Sequence, residues 1–206
     1  MPKVSEKYKI QKRAQLMESA FRCFAANGYV STTIEDIAKD SKVAKGVIYN
    51  YFSSKEEILL QIMDQHTKRF FVELESMLKD ISDPMEKLKT VFAKFKAPPG
   101  PESIDQFRIF MEYWIYSSRN PQMGQTYFIR HHLFVELFLK IIKEGQEAGS
   151  FNPSVDPKAI SSLLWSLRDG SLLHYFSLKD DELIVNMWSH AEDMLFRQLQ
   201  PDQSRE

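Results

Sequence analysis

Lys45, Gly46, Tyr49 and Asn50 take the outward positions of a short stretch, Val43-Ala44-Lys45-Gly46-Val47-Ile48-Tyr49-Asn50-Tyr51-Phe52, whose inward positions are apolar. Their chemistry is that of duplex recognition. A lysine reaches phosphate or guanine, and an asparagine pairs with adenine. A tyrosine bonds phosphate while its ring packs on sugar or a thymine methyl. Thr33 and Lys55 stand at the starts of two flanking helices, where backbone N–H groups also favour a phosphate. No other part of the chain gathers a comparable set. His131 and His132 are adjacent, would point to different sides of a helix, and lack ligand-type partners at i, i+4. There is no phosphate-binding glycine loop, nucleophile elbow or carboxylate pair in a defined setting. No catalytic residue, metal site or cofactor is therefore expected, and the chain does not read as an enzyme.

The elements that must position these residues are helices. From Glu6 to Ala26, Ile10, Ala14, Met17, Phe21 and Phe24 recur at three- and four-residue steps, the period of an amphipathic helix. Asn27-Gly28 ends it, with Gly28 suited to the left-handed position after the last turn. Thr32 or Thr33 caps the next helix, and Thr32 with Glu35 makes a capping box. That helix stops near Asp40, and the outward-facing one runs from about 44 to 52. Ala38 is the small residue at the crossing, and Ile34, Ile37, Val43, Ile48 and Phe52 supply the apolar set. Two helices at a tight turn place the second in a major groove.

These residues resemble the TetR family of one-component bacterial regulators. The matching positions are Phe24, Gly28, Tyr29, Thr32-Thr33-Ile34, Asp36-Ile37-Ala38, Val43, Gly46, Tyr49, Tyr51-Phe52 and Lys55-Glu56. The resemblance spans about residues 10–60; beyond that it is architectural. It implies that Thr33, Lys45, Gly46, Tyr49, Asn50, Tyr51 and Lys55 contact DNA. Two positions depart from the pattern. Lys42 replaces the turn glycine, where a left-handed conformation costs roughly 1–2 kcal/mol. Ala44 replaces the usual serine cap, weaker by about 1 kcal/mol.

Past the head, Ser53-Ser54-Lys55-Glu56-Glu57 opens a helix reaching about Asp80, with Ser54 and Glu57 as a second capping box. At 1.5 Å per residue it is roughly 39 Å long, enough to join a head at 1–54 to a body at 81–206. Asp83-Pro84 opens a further helix that ends before Pro98-Pro99-Gly100-Pro101. Helices then follow at about 102–118, 121–148, 157–178 and 181–199. Asn120-Pro121 and Asp156-Pro157 each give a cap residue followed by proline at the first helical position. The body's aromatics suit an apolar effector cavity, as the resemblance also implies. The expected lining is Phe92, Phe107, Met111, Trp114, Phe134, Phe138 and Trp165, with Arg168 or His174 as the polar anchor. The last two helices carry apolar stripes, including Ile160, Leu163, Leu164, Leu167, Leu183, Met187, Met194 and Leu195. They face either the monomer's own core or a two-fold mate in a four-helix bundle, the arrangement the resemblance implies.

Composition fits an all-α protein: 43% hydrophobic and 27% charged residues, only seven glycines and one cysteine. The lone Cys23 excludes an intramolecular disulfide and suits a packed small hydrophobe. The polar start has no signal-like apolar region and no run of about 18 apolar residues follows, so a cytoplasmic location is expected. Net charge is −1, yet residues 1–60 hold ten Lys/Arg against seven Asp/Glu, with Lys3, Lys7, Lys9, Lys12 and Arg13 crowded at the start. The expectation is a homodimeric repressor on a palindromic operator, released by a small-molecule effector. An alternative is a protein-interaction module on the same fold that has lost DNA binding.

Overall fold

The computed structural model describes residues 5–118 and 124–201. Lys3 and the expected Asn120-Pro121 cap lie outside the described residues. The helices are α1 (Glu6–Asn27), α2 (Ile34–Asp40), α3 (Lys45–Tyr49), α4 (Lys55–Leu78), α5 (Pro84–Lys96), α6 (Pro101–Ser117), α7 (Gly124–Glu147), α8 (Pro157–Leu178) and α9 (Asp181–Leu199), with no strand among the described residues. The expected Asp83 and Asp156 caps are present, and Ser5 and Asp180 cap two further helices. Side chains of Ser5, Asp83, Asp156 and Asp180 accept backbone N–H groups of the first turns, with Pro84 and Pro157 just inside.

They gather into two compact units. The first takes the chain as far as Arg69 together with the stretch that opens at Asp105; the second takes Phe70–Ile104 and the chain from Tyr127 onward. This differs from the expected division at 54 and 80. Most of α6 belongs with the head, because its side chains bond the end of α1. Glu112 accepts the Tyr29 N–H at 2.7 Å, and Arg108 donates to the Ala25 carbonyl at 3.2 Å. The Tyr116 ring meets Tyr29 edge-on at 5.9 Å.

In the first unit Leu16, Ala20, Phe24, Ile37, Ile48, Phe52, Ile58 and Leu59 are buried. Gly28 has a positive φ of 80° but a ψ of 154°, which lies outside the left-handed helical region expected for it. Glycine alone takes that conformation cheaply, and a Cβ there would press on the Glu112 carboxylate at 3.0 Å. The following loop is held by Lys55. Its ammonium donates to the carbonyls of Tyr29 at 2.7 Å, Val30 at 3.2 Å and Thr32 at 2.6 Å, and lies 4.5 Å from the Tyr29 ring centre. Arg13 joins α1 to α4 by donating to Gln61 and Glu57, with its guanidinium 4.6 Å over Phe52.

The second unit is built on one apolar cluster in which α5 packs on α9 and α9 on α8. Trp188 is its centre. Phe92 meets the indole edge-on at 5.5 Å, Phe95 stacks on it at 5.0 Å, and its N–H donates to Ser171 Oγ at 3.2 Å. Gly145 on α7 lets the buried Phe151 ring lie against the helix backbone; a Cβ there would fall 2.1 Å from that ring. Ion pairs Lys87–Glu144 and Lys96–Glu192 close the rim.

Two substitutions test these supports. Gly145→Ala, despite a better helix propensity, should destabilise the protein by about 1–3 kcal/mol through overpacking, read by chemical denaturation. Lys55→Met removes a cation from three carbonyls and should cost about 2 kcal/mol. A thermal melt unchanged by Lys55→Met would show that the 29–32 loop does not need it.

Candidate nucleic-acid interface and effector site

The turn between α2 and α3 is tied back onto the last turn of α2 by backbone and side-chain hydrogen bonds. Ser41 N–H and hydroxyl both donate to the Ile37 carbonyl, and Val43 N–H donates to Ala38 at 3.0 Å. Lys42 sits at φ 54°, the left-handed conformation the missing glycine implied. Ala44 precedes α3 with no side-chain cap, also as its chemistry requires. α3 is shorter than expected, five residues instead of about nine. After Tyr49 the chain winds on as a turn, with Tyr51 and Phe52 N–H both directed to the Ile48 carbonyl. That sharing lets Phe52 turn into the core while Asn50 stays exposed.

Of the two threonines expected as the cap of α2 one serves, and the capping box is Thr33 with Asp36 in place of the expected Thr32 with Glu35. Thr33, not Thr32, caps α2. Its hydroxyl accepts Asp36 N–H at 3.2 Å, and Asp36 accepts the Thr33 N–H at 2.8 Å. Hydrogen bonds from the Thr33 backbone and hydroxyl hold the Asp36 carboxyl below its usual range. Thr32 is buried and donates its hydroxyl to the Gly28 and Cys23 carbonyls, so it cannot serve as the cap. The box was legible as Thr33-x-x-Asp36, the aspartate form of the pattern. At α4, Ser54 Oγ accepts Glu57 N–H, but Glu57 answers to Ser53 N–H and hydroxyl, not to Ser54.

The expected DNA-contacting residues fall into three groups. Gly46, Tyr49 and Asn50 share the outer side of α3: Tyr49 is 49% exposed, and a Cβ on Gly46 would meet nothing within 4 Å. Tyr51 is half-buried behind them. Lys45 is exposed but paired with Glu35 on α2, with its ammonium 6.0 Å from the Tyr49 ring centre. The pairing raises the Lys45 pKa and lowers that of Glu35. Thr33 is exposed with its hydroxyl in the cap. Lys55 has its ammonium turned inward onto the 29–32 carbonyls, where burial lowers its pKa. Arg13, counted above with the basic start, is likewise engaged on α4. The Glu35–Lys45 pair, ten residues apart, had no periodic signal and depends on the turn between the helices.

The expected effector residues are divided between the units. Phe107, Met111 and Trp114 lie on α6 in the first: Phe107 is buried, Met111 half-buried and Trp114 exposed. Phe92, Phe134, Phe138 and Trp165 are buried in the core of the second. His174 is exposed on α8 and does not reach that core, which removes it as an inward anchor. Arg168 does reach it. Its guanidinium lies 5.4 Å from the Trp165 ring centre, 5.8 Å from Phe134 and 6.0 Å from Phe70. A groove of about 670 Å³ runs between α8 and α9, lined by Leu163, Leu167, Met187, His190 and Met194 among others. Leu163 and Met194 are 64% and 73% exposed along it. Among the described residues there is no group of three or more potential metal ligands, and no helix is long and apolar enough to cross a membrane.

Known proteins share these features. Residues 16–62 match the model for bacterial regulatory proteins of the tetR family, and residues 102–186 match that for the tetracyclin repressor-like C-terminal domain. An uncharacterised HTH-type transcriptional regulator of Bacillus subtilis, YfiR, is 25% identical over 191 residues, 90% of each chain. The HTH-type transcriptional repressor KstR2 of Mycolicibacterium smegmatis is 28% identical over 148 residues, 70% of each chain. A crystal structure from Saccharomonospora viridis, described as a transcriptional regulator in complex with choline, superposes with a TM-score of 0.80 at 25% identity. It covers 92% of this chain and 98% of its own. With the helix-turn-helix in residues 16–62 and the matched C-terminal domain in residues 102–186, this chain belongs to the TetR family and is a ligand-responsive, DNA-binding transcriptional regulator.

Proposed function

We propose that the protein is a homodimeric repressor that holds a palindromic operator until an effector binds in the second unit. The observation that carries this is the exposed set Gly46, Tyr49 and Asn50 on a helix whose inner face is fixed by Ile48. Tyr49 and Asn50 read base edges and phosphate. Gly46 lets the α3 backbone approach the duplex, and Thr33 and Tyr51 supply flanking hydroxyls. Lys45 exchanges Glu35 for a phosphate, so its contribution is the difference between two ion pairs. Lys55 acts by positioning the loop that precedes α2. The α8–α9 groove, with its exposed Leu163 and Met194, takes the same groove of a second copy. Two α3 helices would then enter successive major grooves, roughly 34–36 Å apart. The effector acts through its differential affinity for states that do and do not fit that spacing. Such a regulator works in the cytoplasm.

Fluorescence anisotropy on DNA flanking the protein's own gene tests the assignment. Tyr49→Ala and Lys45→Ala should each weaken binding about tenfold, and Lys45→Ala should also flatten the salt dependence by about one phosphate contact. Unchanged affinity in both variants would remove α3 as the reading helix. Failure of the unaltered protein to bind at low salt would favour the protein-interaction alternative.

Gly46→Ala separates folding from contact. The new methyl meets open space and improves helix propensity, so stability should hold or rise by up to about 1 kcal/mol. Operator affinity should nonetheless fall, because the methyl occupies the line of approach to the duplex. Retained affinity would place the DNA elsewhere.

A further inference from the structure

Arg168 is a charged group in an unusual place. Its side chain is only 12% exposed, and three aromatic rings of the second unit, Phe70, Phe134 and Trp165, lie within about 6 Å of its guanidinium. Burial drives its pKa down from the ordinary arginine value, so the charge is held at a cost in desolvation. Its one hydrogen bond among the described residues runs from a terminal nitrogen to Asp169 Oδ1, at 2.7 Å. Adjacent residues on a helix do not face one another, and this contact uses one edge of the fork. Among the described residues, the donors on Nε and the other terminal nitrogen meet no acceptor, yet no fully sealed side-chain N or O lacks a partner. Those donors therefore keep some contact with solvent.

The surroundings fix the sign of the charge that fits. Arg130 lies 5.9 Å from the Trp165 ring centre, and Lys94 lies 5.6 Å from that of Phe70. Lys94 is paired with Glu73 at 2.7 Å, and Arg168, whose side chain is 12% exposed, lies among the rings of the core. An ammonium ligand needs open aromatic faces; here the protein's own cations already lie over them. A carboxylate needs a planar fork of donors with an apolar body beside it. We propose that Arg168 is the carboxylate-binding residue of the effector site, and that the effector is a monocarboxylate with an aryl or alkyl body lying against Phe134 and Trp165. This rests on the regulator reading above and names the ligand class of its site.

Titration calorimetry on the full chain, without DNA, tests it with decanoate and 4-phenylbutyrate, their matched alcohols, and choline. The acids should bind, each at least about tenfold tighter than its alcohol, and choline should not bind. Arg168→Met should lower the affinity for the acids by at least about tenfold and leave the alcohols unchanged. If that variant does not fold, Arg168→Lys, which keeps the charge without the fork, should bind the acids several-fold more weakly. Acids no tighter than alcohols, choline binding in their place, full acid affinity in the variants, or no acid binding up to about 1 mM would each overturn the proposal. Operator binding by the unliganded protein is measured separately. Its loss would sink the regulator reading, whereas intact operator binding that a bound acid does not weaken would sink only the effector assignment.

Discussion

The head depends on one ammonium. Lys55 lies at the start of α4, yet its Nζ is bonded to three carbonyls in the loop between α1 and α2. Gly28 turns the chain there with a backbone that only glycine takes cheaply, and Thr32 donates its hydroxyl back to the Cys23 carbonyl of α1. An apolar side chain at 55 would leave the carbonyls without their donor, and a longer loop would move them out of reach. By fixing where α2 begins, the interaction also fixes the direction in which α2 delivers α3.

From there the order of dependence is short. α2 is capped by Thr33 and Asp36, held at its far end by Arg22 on Asp40 at 2.6 Å, and packed by Ile34, Ile37 and Ala38. α3 inherits its position through the Ala38–Val43 hydrogen bond and the buried Ile48. At five residues, uncapped and preceded by a lysine in a left-handed conformation, it has little stability of its own. Tertiary packing holds it, so Gly46, Tyr49 and Asn50 carry no burden of folding. The surface that faces outward is therefore available to contact something else.

Most of this architecture was legible in the sequence because helix periods, caps and prolines are local signals. The strained Lys42 and the uncapped Ala44 were legible for the same reason: each is a missing residue type at a position whose backbone is already determined. Lys55 was not, since its role is set by carbonyls more than twenty residues earlier. The choice between Thr32 and Thr33 also turned on tertiary contact, because both can cap and only burial of Thr32 decides. The same limit applied in the body. Helical spacing marks Phe92, Phe107, Phe134 and Trp114 alike as apolar, but it does not say that Phe107 and Trp114 belong to a different unit from Phe92 and Phe134. It separates Arg168 from His174 no better, although one lies among rings and the other is exposed.

The place of α6 bears on how a signal could reach DNA. Glu112 and Arg108 bond the chain at Tyr29 and Ala25, on either side of Gly28. Lys55 holds the same loop from α4. The loop that sets the start of α2 is thus gripped from two helices, by charge-assisted bonds that are directional and short in range. A shift of α6 by even an ångström must either break the Glu112 bond or carry the loop with it. Because Gly28 has no side chain to cushion the Glu112 carboxylate, the backbone itself receives the displacement. A displacement of α6 therefore reaches the start of α2 through these hydrogen bonds alone, with nothing touching α2 or α3.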